Sequence, residues 1–79
     1  MRLVDIEDLT DEEIESANAA TQQFRGVSDL DFFNTRYVRD ERGRLTEVRF
    51  YKSSEDTYAR TVGVAVIDQA GQPALRVPR

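Results

Sequence analysis

The stretch Thr61-Val62-Gly63-Val64-Ala65-Val66-Ile67 decides the fold. Its apolar residues fall on both alternating sets, Val62, Val64 and Val66 on one face and Ala65 and Ile67 on the other, as expected of a strand buried on two sides. Gly63 leaves room for a neighbouring element to approach closely. The chain then offers Asp68-Gln69-Ala70-Gly71 and a returning segment from Pro73 to Val77, so Thr61 to Val77 reads as a hairpin closed by an Asp-x-x-Gly turn.

The same grammar occurs upstream. Thr35-Arg36-Tyr37-Val38-Arg39 and Leu45-Thr46-Glu47-Val48-Arg49-Phe50-Tyr51 flank Asp40-Glu41-Arg42-Gly43, where Asp opens a type I turn and Gly takes the left-handed position of a three-residue loop. Pairing Asp40 with Arg44 and counting outward sets Tyr37 opposite Glu47 and Thr35 opposite Arg49 on one face. Val38 then faces Thr46, and Arg36 faces Val48, on the other. Lys52-Ser53-Ser54-Glu55-Asp56 reads as a polar, solvated connection between the hairpins.

Arg39-Asp40-Glu41-Arg42-Gly43-Arg44-Leu45-Thr46 resembles a fragment of the YD repeats of large bacterial shell-forming proteins, in which Tyr-Asp-x-x-Gly-Arg-Leu marks a hairpin. Arg39 stands at the Tyr position and the chain has one such stretch, where a repeat architecture needs several. The resemblance implies shared hairpin chemistry and assigns no family.

Before the strands, Leu9-Thr10-Asp11-Glu12-Glu13-Ile14 carries three helix-start signals: a Thr10/Glu13 capping box, a Leu9/Ile14 staple and acids in the first turn. Ile14, Ala17, Thr21 and Phe24 give a narrow apolar stripe, and Gly26 reads as the stop, predicting a helix over about 11–25. Ser28 can cap a short helical turn over about 29–33 that presents Phe32 and Phe33 to the core. Residues 1–8 read as a flexible leader or an edge strand. The fold class is therefore α+β within a single domain spanning 1–79: an N-terminal helix and a short helix, followed by a four-stranded antiparallel meander of two hairpins. This layout resembles the helix-on-meander arrangement of cystatin-like folds, and a layout alone carries no function.

Composition narrows the function classes. The chain has 79 residues with no Cys and no His, which removes disulfides, thiolate chemistry and the commonest neutral-pH base and metal ligand. Hydrophobic residues at 39% and charged ones at 33% lie between a globule and a disordered tail, and the periodic segments favour the globule. The acidic start, Met1-Arg2-Leu3-Val4-Asp5-Ile6, has no apolar run, so neither a signal peptide nor a membrane span is read there and a cytoplasmic setting is expected.

Charge is divided along the chain. Residues 1–15 hold seven acids (Asp5, Glu7, Asp8, Asp11, Glu12, Glu13, Glu15) against Arg2, a formal −6, while the remainder holds ten bases against eight acids, a formal +2. The acidic run lacks the spacing of a calcium loop, so capping and solvation account for it, and no metal or cofactor is expected. Ser53 and Ser54 have no histidine to activate them, so no catalytic residue is assigned and no enzymatic activity is expected.

One thin helix covers only one side of the valine strand. The other side is left to Phe32 and Phe33, to Leu3, Val4 and Ile6, or to another protein. The expected function is a small non-catalytic protein-interaction module of accessory, regulatory or inhibitory type, acting on a protein partner or as a homodimer. Its expected contacts are Tyr37, Arg39, Arg49, Tyr51, Val62, Val64, Val66, Leu75 and Val77, since tyrosine and arginine buried together are typical of hot spots. The alternative is nucleic-acid binding, with Arg36, Arg39, Arg42, Arg44, Arg49 and Arg60 meeting phosphates and Tyr37, Tyr51 and Tyr58 stacking on bases.

Overall fold

Reciprocal hydrogen bonds set the start of the helix. Thr10 Oγ1 accepts from the Glu13 amide at 3.2 Å, and Glu13 Oε1 accepts from the Thr10 amide at 2.9 Å, forming the capping box legible in the sequence. In the computed structural model, which describes residues 1–29, 33–52 and 61–76, this helix, α1, spans Asp11–Val27. It runs two residues past the predicted last helical position, 25. Gly26 lies within it, and the chain leaves through Ser28, an extended C-cap whose amide donates to the Phe24 carbonyl, so no left-handed residue is needed.

Five antiparallel strands follow the order β1-β2-β3-β4-β5, namely β1 (Arg2–Val4), β2 (Phe33–Arg39), β3 (Leu45–Lys52), β4 (Thr61–Ile67) and β5 (Pro73–Arg76). The class is α+β as expected, with one strand more than the predicted four, because residues 2–4 pair along the outer edge of β2. A 3-10 turn at Ile6–Asp8 joins β1 to α1. Of the predicted short helix at 29–33, Asp29 belongs to no element and Phe33 already opens β2. Residues 30–32 lie outside the described residues.

Both hairpin loops form as read. The Asp40 and Asp68 amides donate to the carbonyls of Arg44 and Gln72, each Asp Oδ1 accepts from two loop amides, and Gly43 and Gly71 adopt φ of 82° and 81°. The predicted pairing fails beyond the Arg39–Leu45 pair. Arg39 pairs with Leu45 and Val38 with Glu47, so Thr46 is an extra bulged residue and every subsequent partner changes. Tyr37 now pairs with Val48, Thr35 with Phe50 and Arg36 with Arg49. The bulge lets Leu45, Val48 and Phe50 all face the helix although strict alternation would divide Leu45 from the other two. A second irregularity leaves Val62 unpaired between Thr61 and Gly63.

Burial follows from this register. The row Val4–Tyr37–Val48–Ala65–Leu75 crosses all five strands beneath α1. Ala17, Ala20 and Phe24 descend onto it from the helix. The Phe24 and Phe50 rings stack with centroids 4.3 Å apart and planes inclined by 3°, and the Phe33 ring lies nearly perpendicular to both. Gly63 permits this approach, since a Cβ there would lie 2.9 Å from Phe24 Cε1.

The candidate interaction face

The helix side of the sheet is dry because α1 lies on it; Ala65 is fully buried and Ile67 nearly so. The side away from the helix is mixed. One row there runs Leu3–Val38–Glu47–Val66–Ala74 and the next runs Arg36–Arg49–Val64–Arg76, each residue directly opposite the following one on the adjacent strand. Val38 is buried, Val64 is half-buried, Val66 is 36% exposed and Leu3 48% exposed. The N-terminal segment thus extends the sheet at its edge and places Leu3 on this face, while Val4 turns into the core.

The expected contact residues divide between the two sides. Arg49, Tyr51, Val64 and Val66 share the far face, with Tyr51 buried at 5% exposure. Tyr37 is buried on the helix side, and Leu75 packs under α1 opposite Ala65. Val62 packs against the core from its bulge. Val77 lies outside the described residues, as do Phe32, Ser53, Ser54, Glu55, Asp56, Tyr58 and Arg60. The division between Tyr37 and Arg39 on one side and Arg49 and Tyr51 on the other is the work of the Thr46 bulge. The spacing of Leu45, Val48 and Phe50 was the available signal for it, while Leu3, Arg36, Ala74 and Arg76 join the face only once the register is known.

Arg39 is held inside. Only 9% exposed, it donates from Nη1 to Glu13 Oε2 at 2.6 Å and to the Gly43 carbonyl at 2.7 Å, and from Nη2 to Glu13 Oε1 and the Asp8 carbonyl, both at 2.7 Å. It ties the first hairpin loop to the 3-10 turn and the helix start, which is a structural task. The two bonds from Arg39 are the chief cause holding the Glu13 carboxyl below its ordinary value, against burial and with help from the Thr10 amide. The same pairing raises Arg39.

Electrostatics on the far face are partly internal. Asp5 Oδ1 accepts from Arg36 Nη1 at 2.7 Å, and Glu47 Oε1 from Arg49 Nε at 3.1 Å. Arg76 is exposed on the last strand. A groove of about 570 Å³ opens elsewhere, between α1 and the β4–β5 loop, with Glu12, Glu15, Arg44 and Asp68 among its lining residues. Arg44 donates from Nη1 to the carbonyls of Ile67 and Asp68, which fastens one hairpin loop to the other. Among the described residues no three carboxylates converge closely enough to hold a metal ion, and no helix is long and apolar enough to cross a membrane. Compared with family models, curated proteins and solved structures, the chain matches none.

Proposed function

We propose that this chain is a small non-catalytic interaction module of accessory or regulatory type, working in the cytoplasm and binding protein through the sheet face away from α1. The observation that carries the reading is the occurrence of exposed apolar side chains, Leu3 and Val66, with half-buried Val64 and a row of arginines on one face of the five-stranded sheet. Arginine is among the residues enriched in binding hot spots. A second copy is one occupant such a face accepts, which would make the module a dimer.

A photo-crosslinking residue placed at position 66 in cells tests this, with position 22, exposed on α1, as the control. Discrete protein adducts, including self-adducts, are expected from position 66 and not from position 22. Absence of adducts at 66, or equal labelling at both, contradicts the reading.

Nucleic-acid binding through the same face is the second reading, supported by the alignment of Arg36, Arg49 and Arg76 in one row. Among the described residues neither tyrosine assigned to stacking is available, since Tyr37 and Tyr51 are both buried. A steep loss of oligonucleotide affinity with salt is its signature.

A further inference from the structure

We propose that β1 is a releasable strap, which parts from the edge of β2 while the rest of the sheet stays folded. The inference concerns this strand alone and does not depend on the interaction role proposed above. β1 contributes Arg2, Leu3 and Val4 to the sheet, paired with Arg39, Val38 and Tyr37. Of the three only Val4 is buried, while Arg2 and Leu3 lie open to water. One buried valine is a small hold beside that of β3 and β4, which place Val48, Phe50, Ala65 and Ile67 in the interior.

The side-chain attachments on either side of β1 face water. Asp5 accepts from Arg36 at 2.7 Å with its own side chain 61% exposed, and Met1 Sδ, on an exposed residue, receives a long contact of 3.8 Å from Arg49 Nη2. Exposed pairs of this kind hold weakly and are screened by salt. Arg39 sets the inner limit of the strap. Its Nη2 holds the Asp8 carbonyl from a guanidinium that is nearly buried and paired with Glu13, and Leu9 is buried just beyond. Ile6 and Glu7, both exposed, lie between this fixed point and β1, so the strand can swing out at the 3-10 turn without disturbing α1. Its departure bares the outer edge of β2 from Tyr37 to Arg39, the kind of unpaired edge that folded proteins otherwise keep covered.

Native-state hydrogen exchange of the full chain, over a urea series below the unfolding midpoint, tests this. The amides bonded between β1 and β2 are expected to exchange at least about tenfold faster, relative to their intrinsic rates, than those bonded between β3 and β4. They should gain little from added urea, since their opening uncovers little surface, whereas the β3–β4 amides should follow the steep dependence of global unfolding. The chain has no cysteine, so a single thiol gives a second reading. V4C should react with a thiol reagent with the same weak urea dependence. V48C, in the same core row, should react only as the whole molecule unfolds.

Equal protection and equal urea slope for the β1–β2 and β3–β4 amides would overturn the inference and make β1 an integral part of the cooperative core. Fast amide exchange with V4C as unreactive as V48C would overturn it too, because the backbone would then loosen while the side chain stays docked. Melting curves confirm that both cysteine variants fold. The exchange measurement uses the unsubstituted chain and stands without them.

Discussion

Gly63 lies close against the Phe24 ring. A methyl group at Gly63 would sit 2.9 Å from Phe24 Cε1, and that ring is itself pressed flat on Phe50, so neither partner has room to retreat. G63A is expected to destabilise the fold by about 1–3 kcal/mol, read from the urea midpoint. An unchanged midpoint would mean that the ring does not lie where the strand requires it. Arg39 is the second decisive residue. Replacing it by Gln leaves Glu13 facing a hairpin carbonyl without its cation, at a cost of about 3 kcal/mol. The pH dependence follows from the lowered Glu13 value. A carboxyl that is more acidic folded than unfolded adds stability that is complete above its unfolded value and is lost as pH falls through its folded value. Stability should therefore be level near neutrality and decline across the acid side of the carboxylate range, and the decline should be shallower in R39Q. Urea midpoints across that range check this, and parallel declines in the two proteins would contradict it.

Among the elements, the two hairpin loops allow a controlled comparison. Gly43 and Gly71 share a left-handed backbone, but a Cβ at Gly43 meets open space whereas one at Gly71 lies 3.1 Å from Ser16 Oγ on α1. G43A should cost about 1 kcal/mol for its backbone conformation, and G71A measurably more, because the hairpin must also shift against the helix. Thermal melts giving the reverse order would contradict the docking of the β4–β5 loop on α1. These loops were legible in the chain because their chemistry is local: Asp supplies the acceptor, Gly the conformation, and both lie within four residues. The capping box was legible for the same reason. Register was not, since Thr46 bulges in order to bury Leu45, Val48 and Phe50 together, and that demand comes from α1 across the core. The helix end at Val27 was missed on similar grounds, and of the two readings given for residues 1–8 the edge strand is the one that forms, at Arg2–Val4. The Arg36–Arg49–Val64–Arg76 row was beyond reach in the sequence, being composed of residues from four strands.

At the scale of the whole molecule, the division of charge seen in the sequence is partly used inside the fold. Asp5 and Glu13 from the acidic start neutralise Arg36 and Arg39 of β2, which fastens the N-terminal segment to the sheet. On the far face Asp5 and Glu47 pair with Arg36 and Arg49, and Arg76 is exposed on the last strand. The proposition underlying the functional reading is that α1 dries one side of the valine strand and leaves the other reachable. Methyl-resolved NMR with a soluble paramagnetic agent, at a concentration where sedimentation shows a monomer, measures this directly. Strong broadening is predicted for the Leu3 and Val66 methyls and little for those of Val48, Ala65 and Ile67. Val66 methyls as protected as those of Ala65 would contradict it.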